Sequence, residues 1–308
     1  MKLLSFVIPC YGSEKTITPV IDEIISVVKE QQGYDYEVIV VNDCSPDNVW
    51  SVLKTLAEKN NKIKAVNFSK NMGKHAALMA GFRHVIGDYV IYLDDDGQCP
   101  VPELFQLIEK IENGYDVATV RYISRKQSII KNLGSYINNA MATYLLQKPG
   151  NARDSNFVAL KRFVVDEVIK YDNSYPYVMG LILRVTHNIA AVRLEDRCRL
   201  AGRSGFTLYK SVSLLLNGLT AFSVKPLRIA SVLGMLCALF GFILGLYIVI
   251  KKLIYPDIFA GYTSIMAVLL AIGGMLMCML GLIGEYIGRI YISINNSPQY
   301  VIKDKINL

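Results

Sequence analysis

The sequence predicts an α/β protein with a mostly parallel sheet, followed by a pair of membrane-spanning helices. In the N-terminal part, short apolar runs alternate with segments of helical periodicity, a pattern typical of a parallel sheet with helices on both faces. Further along, Ile229–Ile250 and Ile258–Gly284 contain no charged residue. Each is long enough to cross a hydrocarbon core of about 30 Å. A D-x-D run after the fourth predicted strand indicates where the chemistry lies.

Five strands and four helices are predicted before the membrane segments. The predicted strands are Leu3–Ile8, Tyr36–Val41, Ile63–Phe68, Tyr89–Leu93 and Asp116–Tyr122. The predicted helices are Thr16–Val28, Asn48–Glu58, His75–Val85 and Val101–Glu112. Polar loops follow the first four strands. Because parallel strands end at the same edge of a sheet, these loops should meet there and form the site.

Three carboxylates, Asp94, Asp95 and Asp96, follow the fourth strand directly. Residues i and i+2 of a strand share a face, so Asp94 and Asp96 are expected to converge while Asp95 points away. Two hard oxygen ligands at a strand end suit Mg²⁺ or Mn²⁺, which in turn hold a diphosphate. The alternative interpretation is a polar turn without a ligand.

The donor nucleotide needs a binding mode other than the common glycine-rich motifs. Neither G-x-G-x-x-G nor a P-loop motif occurs, which argues against a dinucleotide dehydrogenase and a P-loop enzyme. Asp43, at the end of the second strand, is a candidate for contacting base or ribose, or alternatively caps a helix near Ser45. Tyr11 either stacks on a base or closes its turn, and Lys74 either faces phosphates or lies at the surface.

The placement of basic residues indicates a membrane surface rather than a nucleic acid as partner. The net charge is +7, and five basic residues and no acidic one lie between Arg121 and Lys148. Residues 127–147 have apolar positions at helical spacing, which predicts an amphipathic helix in the membrane interface, as for 208–222. A helix docked on the sheet is the alternative for 127–147. The six cysteines form no pattern of a disulfide framework or zinc site.

These features predict three parts: a catalytic domain over residues 1–226, a membrane hairpin over 227–290 with spans at about 229–250 and 260–284, and a tail over 291–308. No signal peptide opens the sequence, so the catalytic domain and the tail are expected in the cytoplasm. Glycines along both spans permit close helix contacts. A homo-oligomer is therefore compatible with the sequence.

Several stretches together resemble family 2 glycosyltransferases, in particular the membrane-anchored bacterial enzymes that act on polyprenyl phosphate. The matching stretches are FVIPCYGSEKTI, VIVVNDCSPD, NFSKNMGKHAALMAGF, YVIYLDDDGQCPVPEL, GLTAFSVKPLRIAS and GEYIGRIY. The resemblance implies a GT-A fold, a nucleotide-sugar donor, with a UDP-sugar favoured, and a polyprenyl-phosphate acceptor. It also implies a bacterial inner-membrane location, with the chain crossing the membrane more than once.

The resemblance also implies roles for individual residues. Asp94 and Asp96 are expected to bind the metal ion and diphosphate, and Asp154 is the candidate functional carboxylate near the acceptor, or alternatively an ion-pair partner of an arginine. Donor contacts are expected from Pro9, Tyr11, Asp43, Lys74 and Asp95. Contacts with the acceptor phosphate are expected from Arg199, Arg203, Ser204 and Lys210. The chain departs from the family's usual residues at Asn156, where many relatives have an aspartate.

Two other functions remain open at this stage. One is a family 2 transferase that acts on a glycan or another acceptor, although no Q-x-x-R-W segment typical of processive synthases occurs. The other is a non-catalytic membrane protein that keeps the fold, which the intact D-x-D argues against.

Overall fold

The computed structural model describes residues 1–123, 155–195, 197, 225–254, 262–295 and 298–308. The chain forms two compact units. The first combines Met1–Ser213 with Asn296–Leu308, and the second is Leu214–Asn295. The predicted amphipathic helices at 127–147 and 208–222 lie outside the described residues.

An eight-stranded sheet forms the centre of the first unit. Its strands, in chain order, are β1 Lys2–Cys10, β2 Tyr34–Asn42, β3 Ile63–Phe68, β4 Tyr89–Leu93, β5 Val117–Ile123, β6 Phe157–Lys161, β7 Ile189–Glu195 and β8 Ile302–Ile306. The spatial order is β7-β5-β6-β4-β1-β2-β3-β8. Strands β4, β1, β2 and β3 are parallel neighbours, as are β5 and β7. The prediction of a mostly parallel α/β sheet is confirmed.

Helices connect the strands and cover the sheet. They are α1 Ile17–Lys29, α2 Val49–Lys59, α3 Lys74–Phe82, α4 Leu104–Glu112, α5 Arg162–Val168 and α6 Val178–Val185. The segment predicted as one helix over Val101–Glu112 begins with a short 3₁₀ turn, Val101–Glu103, with Pro102 in its first turn, a position that tolerates proline. The first four helices match the predicted ones within a few residues.

Strands β1 and β2 are apolar along most of their length because both faces of the sheet are covered there. From Leu4 to Cys10 every residue of β1 is buried, and β2 is buried from Tyr36 to Asn42. Helix α3 packs very closely on β1. A Cβ added at Gly81 would lie 2.3 Å from Cγ1 of Val7, so the glycine permits the approach.

Three strands were not predicted. Strand β6 runs antiparallel between β4 and β5, and β7 extends the sheet at one edge. Strand β8 comes from the segment predicted to be a tail after the hairpin. It pairs antiparallel with β3, with Asn67 opposite Asp304. The C-terminal residues are therefore part of the sheet and not a separate tail.

The second unit contains two long helices, α7 Lys225–Ile254 and α8 Tyr262–Ile294. Within α7, Ala230–Tyr247 is apolar enough to cross a membrane, with a mean hydropathy of 2.1. Helix α8 carries a shorter apolar stretch, Ile272–Gly288. The helices approach closely at Gly234, where an added Cβ would lie 2.6 Å from Cε of Met279. Helix α8 continues about ten residues beyond the span predicted to end at 284.

Candidate active site

A cavity of about 580 Å³ opens at the carboxyl ends of β1, β2 and β4. It is the position at which parallel α/β sheets bind ligands. All seven residues predicted on the donor side line this cavity: Pro9, Tyr11, Asp43, Lys74, Asp94, Asp95 and Asp96. Other lining residues were not predicted, among them Glu14, Lys15 and Asp47. Six carboxylates and two lysines thus surround one cavity.

The D-x-D run differs in one respect from the prediction. Asp95 does not point away from Asp94 and Asp96, because all three line the same cavity. The alternation of faces applies only within a strand, and β4 ends at Leu93. Past that residue the chain turns, and the carboxylate of Asp95 accepts a hydrogen bond from the amide of Tyr11 over 3.1 Å.

Among the carboxylates that line the cavity, Asp95 has the clearest rise in pKa. Burial raises the pKa of Asp95 to about 6, the nearby hydroxyl of Ser13 and the amide of Tyr11 oppose the shift, and the negative charge of Asp94 adds to it. The nearby hydroxyl of Ser13 is buried and makes no hydrogen bond of ordinary geometry. A cation that entered this cavity would lower the cost of ionising Asp95.

Asp94 is held from two sides. One of its oxygens forms an ion pair with Nζ of Lys74, and the other accepts a hydrogen bond from Nδ2 of Asn156 over 2.9 Å. The amide oxygen of Asn156 in turn accepts the hydroxyl of Tyr122 over 3.1 Å. This chain of contacts fixes the orientation of the Asp94 carboxylate. Asn156 stood out in the sequence only as a departure from a family pattern, and its contact with Asp94 was not predicted.

Asp43 ties two loops together. Its oxygens accept the amides of Met72 over 2.6 Å and Gly73 over 2.8 Å. Gly73 has a φ of +86°, a conformation that glycine adopts without strain, and α3 begins directly after it at Lys74. Burial raises the pKa of Asp43, although both amide hydrogen bonds oppose the shift. The carboxylate is therefore already engaged, with lone pairs left for a ligand.

The loops after β1 and β2 are joined by Ser45 and Asp47. Oγ of Ser45 accepts the amide of Gly12 over 2.7 Å and donates to Asp47. Asp47 also accepts the amide of Glu14 over 2.8 Å. Burial would raise the pKa of Asp47, but the hydrogen bonds from Ser45 and the amides outweigh it, so the pKa is lowered. The polar run Asn42–Asp47 was the only sequence signal for this arrangement.

The carboxylates fit a divalent cation that shares its ligands with a substrate. Within the described residues, no three acidic, histidine or cysteine side chains converge as a preformed metal site. Mg²⁺ does not require one, because it usually binds one or two carboxylates and completes its shell with phosphate oxygens and water. Asp94 already pairs with a cation, the ammonium of Lys74. Asp94 and Asp96 therefore suit Mg²⁺ or Mn²⁺ once a diphosphate is present.

The predicted acceptor side cannot be compared with the structure. Asp154, Arg199, Arg203, Ser204 and Lys210 lie outside the described residues. The nearest described neighbour in sequence is Arg197, which forms an ion pair with Glu23 at 2.8 Å. Its carbonyl oxygen accepts Nε2 of Gln98, two residues after the D-x-D run, over 3.1 Å.

Comparison with known proteins identifies two family models along the chain. The model for glycosyl transferase family 2 matches residues 5–168, and the model for the GtrB C-terminal hairpin matches residues 225–290. Among solved structures, glucosyl-3-phosphoglycerate synthase from Mycobacterium tuberculosis, in complex with Mn²⁺ and UDP-glucose, superposes with a TM-score of 0.54 and 20% identity. The match covers 71% of this chain and 77% of that one, and it supports the fold.

Similar curated proteins align over nearly the full length. An undecaprenyl-phosphate 4-deoxy-4-formamido-L-arabinose transferase from Photorhabdus laumondii is 33% identical, covering 98% of this chain and 94% of its own. A bactoprenol glucosyl transferase of Shigella phage SfII is 31% identical, with 97% of each chain covered. Given these relatives and a family model that matches more than half of its residues, the chain belongs to glycosyl transferase family 2.

Proposed function

We propose that this protein is an inverting glycosyltransferase that moves a sugar from a nucleotide sugar to polyprenyl phosphate. The sequence resemblance favours a UDP-linked sugar as donor. Two relatives that align over nearly the whole chain are named as undecaprenyl-phosphate and bactoprenol transferases. The observation that carries the proposal is the presence, in one chain, of the acidic cavity at the D-x-D run and the hairpin match at residues 225–290.

Charge balance in the cavity supports a nucleoside diphosphate accompanied by a metal ion. Six lining carboxylates oppose two lysines, so a diphosphate alone would meet net repulsion. A divalent cation held by Asp94 and Asp96 would neutralise the negative charge that develops on the leaving diphosphate. Lys74 lies beside Asp94 and is placed to contact the same phosphates. We assign further donor contacts to Pro9, Tyr11, Asp43 and Asp95.

The contact between Asn156 and Asp94 supports a phosphate, and not a sugar hydroxyl, as the nucleophile. A phosphate monoester has a second pKa of about 6 and is largely dianionic near neutral pH. It therefore attacks the sugar without a strong general base, unlike a sugar hydroxyl. Asn156 contacts Asp94, and its amide cannot accept a proton at neutral pH. Asp154 is proposed to orient the acceptor, whose phosphate Arg199, Arg203, Ser204 and Lys210 would bind.

Chain connectivity supports a membrane hairpin that begins and ends on the same side. The segments before and after α7 and α8 belong to one compact unit, and β8 pairs with β3 within it. Two crossings return the chain to its starting side. Large apolar side chains of both helices are exposed, including Met235, Phe242 and Met277, which suits contact with lipid. We propose a bacterial inner-membrane location with the sheet in the cytoplasm, and a homo-oligomer stays a prediction.

The proposal is tested by transfer of labelled sugar from UDP-sugars into organic-extractable lipid. Membranes that contain the protein are expected to form a polyprenyl-phosphate monosaccharide, and EDTA is expected to abolish the reaction. Asp94→Ala and Asp96→Ala should each lower transfer by at least about 100-fold, since each removes a group that would stabilise the leaving diphosphate. Asp22→Ala, an exposed change on α1, should retain the wild-type rate.

Other outcomes would support the alternative functions. A polysaccharide or glycosylated protein in place of the lipid product would identify another family 2 acceptor. Absence of any nucleotide-sugar binding with Mn²⁺ in calorimetry would favour a non-catalytic protein. Full transfer by both aspartate variants would contradict the metal assignment while leaving the acceptor assignment in place.

A further inference from the structure

The C-terminal segment after the hairpin lies outside both family matches, yet its side chains make specific contacts within the first unit. Gln299 is buried, and its Nε2 donates to the carbonyl of Tyr171 over 2.8 Å. The ring of Tyr300 stacks on Phe68, with centroids 5.1 Å apart. Buried, specific contacts of this kind are not expected of a tail that serves only to end a chain.

A row of hydrogen bonds leads from this segment to the cavity. Nδ2 of Asn67 donates to Oδ2 of Asp304 over 2.9 Å, and Nδ2 of Asn42 donates to Oδ1 of Asn67 over 2.8 Å. The amide of Ser45 donates to Oδ1 of Asn42 over 3.1 Å. Oγ of Ser45 then accepts the amide of Gly12 over 2.7 Å. The row connects the middle of β8 and the ends of β3 and β2 with the loop after β1.

Three of these hydrogen bonds involve the side chains of Asp304, Asn67 and Asn42. In each of the three, the donor is the group that lies further from Asp304 along the row. A carboxylate at neutral pH has only acceptor atoms, whereas an asparagine amide is ambiguous and can turn around. Asp304 therefore fixes the amide of Asn67 with its nitrogen outward and its oxygen toward Asn42. Asn42 must then present its own oxygen to Ser45. Because Asn42 and Asn67 are buried, at 3% and 8% exposure, a reversed amide would leave buried polar groups unsatisfied.

The far end of the row lies against the lining of the donor cavity. Gly12 lines that cavity, as does Asp47, which accepts the hydroxyl of Ser45. We propose that Asp304 is a positioning residue for the donor site, acting through Asn67 and Asn42 on the turn at Ser45. This inference rests on the proposed function, since it assigns the C-terminal strand to nucleotide binding. The substrate class addressed is the nucleoside diphosphate, and no contact of Asp304 with it is required.

Reversal of one hydrogen bond tests this role in the full-length protein. Asn67→Asp places a second carboxylate against Asp304 and is expected to weaken binding of UDP with Mn²⁺ by about 5- to 10-fold. Adding Asp304→Asn restores a donor on the opposite strand while the changed position 67 still accepts from Asn42. The double variant should therefore bind UDP within about twofold of wild type. Asp304→Ala alone should weaken binding by about threefold.

Calorimetry with UDP and Mn²⁺ gives the affinity, and transfer kinetics give a second readout. If Asp304 is a positioning residue, the variants raise the KM for the donor and leave the KM for polyprenyl phosphate unchanged. General unfolding would instead lower the fraction of active protein and change neither KM. Lys303→Ala, an exposed change on the same strand segment, is the matched control and should behave as wild type.

The two proposals fail differently. Wild-type affinity in both Asn67→Asp and Asp304→Ala would overturn the positioning role while leaving the proposed function intact. A double variant as weak as Asn67→Asp alone would likewise overturn it, because the hydrogen-bond direction would then not matter. Absence of UDP binding by the wild-type protein would overturn the proposed donor and the positioning role together.

Discussion

At the scale of single residues, Lys74 pairs with the carboxylate of Asp94, which is also the proposed ligand of a divalent cation. Lys74 pairs with Asp94, and its side chain is 40% exposed. An ion pair this exposed is worth at most about 1 kcal/mol. We therefore predict that Lys74→Gln tightens Mn²⁺ binding to the donor-free protein by about 2- to 5-fold. The same change should lower sugar transfer, because the diphosphate loses a cation.

Manganese titration by electron paramagnetic resonance measures the first effect, and lipid labelling measures the second. Lys70→Gln, an exposed change in the loop that precedes α3, serves as the control and should change neither. Mn²⁺ binding that weakens in Lys74→Gln would contradict this prediction and would instead make the lysine a support for the metal site.

Some residues of this site could be predicted from the sequence and others could not, depending on whether their positions follow from the order of strands and loops. Asp94, Asp96 and Asp43 could be predicted because each lies within three residues of the end of an apolar strand, and the parallel order of the strands brings such ends together. The side-chain contacts of Asn156 could not be predicted, because they depend on β6 entering the sheet antiparallel beside β4. The orientation of Asp95 was predicted wrongly because strand geometry was extended past Leu93, where β4 ends.

At the scale of elements, the contact between α3 and β1 leaves no space for a methyl group. A Cβ at Gly81 would lie 2.3 Å from Val7 and 3.4 Å from Val41. We predict that Gly81→Ala lowers the free energy of unfolding by about 1–3 kcal/mol, the usual cost of overpacking a core. Because α3 begins at Lys74, a displaced helix should also weaken UDP binding.

Denaturant unfolding of the single and double variants measures this effect. In Gly81→Ala/Val7→Ala the smaller side chain makes room for the new methyl group, so the double variant should lose less stability than the sum of the two single losses. Strict additivity of the two losses would show that the methyl group at position 81 does not press on Val7.

The position of His84, two residues after the end of α3, predicts that the stability of the first unit depends on pH. Burial lowers the pKa of His84 below its usual 6.5, and the positive charges of Lys305, Lys64 and Arg83 add to the shift. The unfolded chain then binds a proton more readily than the folded one. Stability is therefore complete above pH 6.5 and falls as the pH drops toward the lower folded pKa.

Melting temperatures at pH 7.5 and 5.5 measure this dependence. His84→Asn is expected to reduce the difference between the two temperatures, and Lys305→Gln to reduce it partly, because the folded pKa then rises toward its usual value. A larger difference in His84→Asn than in wild type would contradict the assignment of this pH dependence to His84.

Among the three strands that were not predicted, β8 has the weakest signal in the sequence. The alternation of strands and helices predicts β1 to β5 from local patterns alone, without their order in the sheet, in which β4 lies beside β1. In β8 the residues are IKDKI, a short, charged pattern suited to a sheet edge but equally compatible with a loop. Its pairing with β3 spans more than two hundred residues and has no local signal.

At the scale of the whole molecule, the return of the chain to its own sheet constrains how it crosses a membrane. Residues on β8 belong to the same compact unit as β1 to β3, so segments before and after the hairpin should be accessible from the same side. Lys251, near the end of α7, should be accessible from the other side. We predict that cysteines placed at Lys59 and Lys303 are labelled together, and one at Lys251 separately.

Labelling with a membrane-impermeant maleimide, in intact cells and in inside-out vesicles, measures this arrangement once the six native cysteines are replaced. Retained sugar transfer by the cysteine-free protein shows that it is folded. Lys59→Cys and Lys303→Cys should react in inside-out vesicles, and Lys251→Cys in intact cells, because α7 and α8 then each cross the bilayer once. Labelling of all three positions from one side would mean that neither helix crosses the bilayer. The helices would then lie along the membrane surface, and a polyprenyl phosphate would reach the cavity from a protein that is bound to the bilayer and not embedded in it.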